Sequence, residues 1–170
     1  MSKALLEKSP FTVADLILSS PVALAFDILG DRWSWLILRD LFLGVRRFEE
    51  LRRRTGAARG TLTTRLNALV DSGVIYRNPY QTGPTRYEYR LTDKGVGLYP
   101  VALMLWSWEN KWTDHEDLPS KLVHRVCGKP TIPEVHCTAC NKAVIAADVT
   151  YSAGPAARTR TQKKPHAQRR

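Results

Sequence analysis

Apolar residues recur at helical spacing through the first part of the chain, and the spacing predicts a succession of short helices. Val22, Ala25, Phe26 and Leu29 share one face of a helix that starts at Pro21, where a proline suits the first turn, and closes at Gly30. Asp31 can cap the next helix, Arg32 to Leu43. It carries Trp33, Trp35, Leu36, Ile37, Leu38, Leu41, Phe42 and Leu43, so it is apolar on nearly all sides and is expected to be buried, with its tryptophans in the core. Phe48 and Leu51 edge a short helix that Thr55-Gly56 stops, and Leu62, Leu66 and Leu69 stripe a second one that ends at Gly73. The period then changes. Val74 to Arg77 reads as a strand, and Arg86 to Leu91 alternates so that Tyr87, Tyr89 and Leu91 share a face, with a loop of turn formers over 78–85 between them. Behind a Thr92-Asp93 cap, helical spacing returns to about Trp112, with Pro100 expected to bend that helix rather than end it.

The order helix, turn, helix, hairpin is that of a winged helix-turn-helix. Opposite the leucine stripe of the second helix, Thr61, Thr64 and Ala68 project outward, Thr63 and Arg65 flank them, and Arg59 stands at the helix entry. Small hydroxyl side chains allow close approach to a major groove, and arginine hydrogen-bonds guanine edges or phosphates. Arg77 and Arg86, with Gln81 and Thr82, would meet the phosphate backbone from the wing, and Arg46 and Arg47 lead into the first helix. A solvated helix face and an ordinary hairpin are the plain alternatives. Charge favours the DNA reading: between Arg39 and Arg65 there are eight arginines against Asp40, Glu49 and Glu50.

The composition, 44% hydrophobic and 25% charged over 170 residues, is that of a globular protein. The net charge of +10 points to a polyanionic partner, but six of those charges lie in a tail from Arg158 to Arg170 that has no acidic residue, leaving +4 for the rest. Three cysteines, all beyond residue 126, do not make a disulfide framework. The run from Val13 to Leu18 fits neither a signal peptide nor a membrane span, so a cytoplasmic location without membrane contact is expected.

A resemblance narrows the reading. Pro21-Val22, Gly30-Asp31-Arg32-Trp33, Leu36 to Leu41, Arg46-Arg47-Phe48 with Glu50-Leu51-Arg52, Leu62-Thr63 with Arg65-Leu66, Gly73-Val74-Ile75, and Arg86 to Tyr89 with Leu91-Thr92 resemble, in this order, the HxlR family of bacterial winged-helix transcription regulators, in the MarR-like superfamily. The resemblance covers about residues 20 to 113 and implies a homodimer on a palindromic or near-palindromic operator. Members that sense oxidants or electrophiles commonly carry a cysteine just before the Pro-Val pair. Here that residue is Ser20, which cannot react as a thiolate, so thiol sensing at this position is not expected.

Two apolar stripes run along the last helix: Val96, Tyr99, Leu103 and Trp106, and Leu98, Val101, Leu105, Trp108 and Trp112. One packs on its own domain, and the second needs either another protomer or a cover from the carboxyl-terminal segment. A two-fold dimer would set two recognition helices roughly 34 Å apart, in successive major grooves. Residues 1–19 are then a lead-in, 20–114 a DNA-binding and dimerisation domain, 119–155 a small Cys/His appendage, and 156–170 a basic tail expected to be disordered.

In the appendage, His124 and Cys127 stand opposite Cys137 and Cys140, with nine residues between Cys127 and Cys137. These ligands suit structural zinc in a ribbon-like loop, and a region too small for its own core has use for a metal. A ribbon without metal and a redox-active Cys137/Cys140 pair are the alternatives. The expected fold class is therefore mainly α with a small β-hairpin, a long dimerisation helix and a zinc-ribbon-like appendage.

The function expected is sequence-specific binding of double-stranded DNA by a homodimeric transcriptional regulator. The alternative is a winged-helix protein-interaction module with nonspecific DNA affinity from its tail. No nucleophile with a paired base, carboxylate pair in a polar cluster or glycine-rich phosphate loop suggests an enzyme, and nothing marks a small-molecule effector site.

Overall fold

The structure is a computed structural model that describes residues 21–113 and 121–150. The expected lead-in, Ser20 and the basic tail lie outside the described residues. The chain divides into a larger unit, Leu24–Glu134, and a smaller one made of Met1–Ala23 with Val135–Arg170. In order, the elements are α1 (Pro21–Leu29), α2 (Arg32–Phe42), α3 (Phe48–Thr55), α4 (Arg59–Asp71), β1 (Ile75–Thr82), β2 (Thr85–Leu91), α5 (Asp93–Val96) and α6 (Tyr99–Trp112).

The core of the larger unit is where the leucine stripes meet. Ile37 and Leu38 of α2, Leu51 of α3, Leu62, Leu66 and Leu69 of α4, and Val74 and Ile75 leading into the hairpin are each no more than 1% exposed. Side chains of this size add about 1.5–3 kcal/mol each when fully buried, so this cluster fixes the angle between α3 and α4. Asp31 caps α2, accepting from the Trp33 and Ser34 amides at 2.9 and 3.0 Å. Gly56, in the left-handed conformation at φ 72°, closes α3.

Three expectations about elements are corrected. First, α2 is not buried on all sides: Ile37, Leu38 and Leu41 are buried, whereas both tryptophans are half-buried and Leu43 is exposed. Its buried face includes Asp40, whose carboxylate meets Arg39 at 3.0 Å and Arg54 of α3 at 3.3 Å, an ion-pair link between the two helices. Likewise α1 buries only Leu29 fully and leaves Val22, Leu24 and Phe26 exposed.

Second, the hairpin is longer than its turn-forming residues suggest. The strands pair from Ile75↔Leu91 to Thr82↔Thr85, leaving a two-residue tip, and a bulge between Pro79 and Gln81 takes up the register. Among the described residues β1 pairs with β2 alone and is an edge strand, so the missing N–H of Pro79 interrupts no central ladder.

Third, the last helix is broken. Gly97 ends α5 and Leu98 starts α6, because Pro100 has no N–H to offer the Val96 carbonyl and instead takes its place in the first turn of a new helix. Leu98, expected on the outward stripe, packs against the core.

Residues 131–134 join the larger unit by way of α6, where the Ser107 hydroxyl donates to the Pro133 carbonyl at 3.1 Å. The His124–Cys127 segment accordingly groups with the larger unit, Leu24–Glu134.

Candidate nucleic-acid interface

Burial of Leu62, Leu66 and Leu69 turns the opposite side of α4 outward, and Arg59, Gly60, Thr63, Thr64 and Ala68 stand exposed there. Thr61 and Arg65, one turn apart, lie on the edge of that face and are half-buried. The outward projection expected of Thr61 is thus only partial. Arg65 leans on the α2 cap, its Nε 3.4 Å from the Asp31 carboxylate. Burial would raise the Asp31 carboxyl, but the Ser34 hydroxyl and amide, the Arg65 charge and the Trp33 amide together hold it below its ordinary 3.8.

The hairpin is held against this helix pair by backbone. The Tyr89 N–H donates to the Arg46 carbonyl at 2.9 Å, and Arg47 pairs with Glu88 as an isolated bridge, so the segment before α3 runs as a short third strand beside β2. At the hairpin's base, Thr92 accepts from the Gly95 amide and donates to the carbonyls of Gly73 and Val74. The wing's position relative to α4 follows from these bonds.

Between α3, the start of α4 and the wing lies an open cleft of about 530 Å³. Three of the expected arginines, Arg47, Arg59 and Arg86, line it together with Glu49, Tyr80 and Tyr87. Arg47 stacks on Tyr80 with its guanidinium carbon 4.9 Å from the ring centroid, and Arg59 sits over Phe48 at 5.2 Å. Glu49 accepts from both Arg52 and Arg59, and hydrogen bonds from these two hold its carboxyl below the usual 4.5. Arg77 reaches from the wing to the Asn67 side chain of α4. Arg46 is set apart from the group, lining a smaller cleft with Leu41, Tyr76 and Arg90. In an extended segment neighbouring side chains point to opposite sides, which is why Arg46 and Arg47 part company.

Sequence reasoning did not single out Glu49, Asn67 or Tyr80. Only Tyr80 left a trace: continuing the alternation of β1 beyond Arg77 would have brought it into the wing.

On α6, Val101, Leu105, Trp108 and Trp112 of the expected outer stripe are exposed, the two tryptophans by 63% and 70%. Ser107 and Asn110 are the buried residues of this helix.

The expected metal ligands fall in two turns. In one, His124 Nδ1 lies 3.4 Å from Cys127 Sγ. In the other, the Cys140 and Ala139 amides and the Cys140 thiol all hydrogen-bond the Cys137 sulfur, holding its thiol below the ordinary 9.0. Among the described residues no group of three or more His, Cys, Asp or Glu side chains is gathered to hold a metal ion, and no helix is long and apolar enough to cross a membrane.

Residues 28–117 match the model of the HxlR-like helix-turn-helix family. The chain is 42% identical over 135 residues to the uncharacterized HTH-type transcriptional regulator Rv3095 of Mycobacterium tuberculosis, an alignment covering 79% of this chain and 85% of the relative. Among solved structures, PA1607, described as a candidate transcription factor, is 35% identical with a TM-score of 0.71, covering 82% of this chain and 98% of that one. PA1374 of Pseudomonas aeruginosa, described in the same terms, is 37% identical with a TM-score of 0.61, covering 80% and 93%.

Proposed function

Because the chain belongs to the HxlR-like helix-turn-helix family of transcriptional regulators, we propose that it acts as a homodimer on an inverted-repeat operator in double-stranded DNA. The observation that carries this reading is the convergence of Arg47, Arg59 and Arg86 from three separate elements on one open cleft, next to the exposed Thr63 and Thr64 of α4. Arginines at such a junction suit a phosphate backbone that follows the groove, while the small threonines leave α4 free to enter the groove itself. In this reading Thr63 and Thr64 meet base edges, Arg59 and Arg47 hold phosphates flanking the groove, and Arg77 and Arg86 hold the wing to the backbone. Thr61 and Arg65 support from the edge of the helix.

The exposed face of α6 supports self-association. Val101, Leu105, Trp108 and Trp112 form an apolar stripe, and a second copy of the same stripe is its natural cover. A two-fold axis there would relate two α4 helices and so two half-sites.

The test is selection of genomic fragments by the purified full chain at about physiological ionic strength, followed by sequencing of what is retained. Enrichment of one inverted-repeat motif is the expected result. Uniform retention that disappears when residues 156–170 are deleted would overturn it, since the affinity would then come from the tail alone.

A further inference from the structure

Helix α2 carries two apolar faces, and the core fully buries only one of them. Ile37, Leu38 and Leu41 point into the core. Arg32, Trp35, Leu36, Arg39 and Phe42 recur at spacings of three, one, three and three, which sets them along a second face. Across from it stands α6, where Tyr99, Leu103 and Trp106 recur at four and three. Between these two faces lies a pocket of about 660 Å³. Every residue that lines it belongs to the larger unit, Leu24–Glu134. On the α2 side the lining runs from Arg32 to beyond Phe42, a rise of about 15 Å along the helix, so the pocket is a trough.

Its walls are not packed shut. Trp35, Leu36, Phe42, Leu103 and Trp106 are each half-buried and keep part of their surface open to solvent. The Phe42 and Tyr99 rings meet edge to face with centroids 5.0 Å apart, joining the two walls at one end. The volume falls within the roughly 300–1,000 Å³ of small-molecule sites, which are likewise mostly apolar with a few polar groups that fix orientation.

The charges on the trough have one sign. Arg32 and Arg39 line it, and no Asp or Glu does. Asp40 engages both Nε and Nη2 of Arg39 at 3.0 Å. Arg32 pairs with no carboxylate among the described residues. Its guanidinium lies over the Trp33 ring, 5.0 Å from the centroid, a contact that consumes none of its N–H donors.

We propose that this trough binds a medium-chain organic carboxylate, with the head group on Arg32 and the tail along Trp35, Leu36 and Phe42 of α2 and Leu103 and Trp106 of α6. Two positive charges with no negative one select an anion. The length of the trough suits an extended chain better than a single ring, and covering its half-buried walls supplies the affinity. Leu105 lies both on this trough and on the exposed α6 stripe, so a second copy is the competing occupant. A second copy filling the trough with the same face would gather four arginines and no lining carboxylate, which disfavours it. The trough shares no lining residue with the arginine cleft beside the wing, so ligand binding can be read without DNA.

The experiment is calorimetric titration of the purified full chain with decanoate below its micelle concentration, set against 1-decanol and decylamine, with sedimentation of the same samples. The expected result is saturation at one decanoate per chain with unchanged sedimentation. Decanol and decylamine should bind at least about tenfold more weakly, the scale of one hydrogen bond to a charged group. Arg32→Ala should weaken decanoate by the same factor and leave decanol unchanged, and Arg32→Lys should restore most of the loss. Arg32 is exposed, so these variants should fold. Leu103→Trp, which fills the trough, is a second variant and should abolish binding. Unsaturable uptake, decanol binding as tightly as decanoate, or full decanoate binding in Arg32→Ala would overturn the proposal. Binding that appears only as a dimer dissociates would overturn it too, and give the trough to the second copy.

Discussion

The Glu49 carboxylate of α3 accepts a hydrogen bond from Arg59, the arginine that opens α4, and so ties down one of the cationic groups lining the cleft beside the wing. A phosphate entering that cleft competes with Glu49 for the same guanidinium. Replacing Glu49 by Gln should raise affinity for duplex DNA by up to about fivefold at low salt, the scale of an exposed ion pair, and the gain should shrink as salt increases. Fluorescence anisotropy across a salt series reads this directly. A fall in affinity would mean that Glu49 positions Arg59 instead of occupying it.

Asp31 links the middle of α4 to the start of α2, since it caps α2 and also meets Arg65. Asp31→Ala should cost about 1 kcal/mol of stability near neutral pH, the usual worth of an N-cap. The folded state lowers this carboxyl below 3.8, so its contribution is complete above that value and is lost as pH falls through the lowered one. Urea unfolding should therefore show a gap between the two proteins near neutrality that closes in strong acid. A gap that is unchanged by pH would remove the charged form of Asp31 from the account.

Gly95 has no room for a methyl group: a Cβ there would lie 2.2 Å from the Val74 carbonyl oxygen and 3.0 Å from Leu91. Gly95→Ala should destabilise the protein by about 1–3 kcal/mol, as overpacking does, and loosen the base of the wing. Gly97, whose Cβ would be 3.4 Å from its nearest neighbours, is the control. Thermal melts should show a clear drop for the first and little change for the second.

Placing a charge on the α6 stripe tests the dimer. Trp108→Glu should give a monomer by sedimentation at micromolar concentration while the far-ultraviolet circular dichroism stays unchanged, because this side chain is largely outside the core. Operator affinity should fall by at least about tenfold as one half-site is lost. A variant that remains dimeric would move the interface elsewhere.

Much of the helical framework was legible because helix signals are local. The spacing of Leu62, Leu66 and Leu69 identified both α4 and its buried side, and Asp31 and Gly56 marked helix ends through their own chemistry. The same spacing misled along the last helix: periodicity counts side chains and does not register that Pro100 withholds a backbone donor. The wing was underestimated for a related reason. Asn78, Pro79, Gln81 and Thr82 favour turns in isolation, but pairing with Thr85 to Tyr89 satisfies their backbone as strand.

The sequence by itself determined the element types, the buried stripes, the arginine-rich segment and the repeated Cys/His spacing, since each depends on neighbours a few positions away. The tertiary structure alone decided which arginines lie together. Arg47, Arg59 and Arg86 line one cleft, Arg46 turns aside, and Arg65 is held by Asp31, thirty-four positions earlier in the chain. Ion-pair choice depends on the distance and burial between packed elements, and those are set by how the leucine stripes dock, not by the order of residues along any one helix.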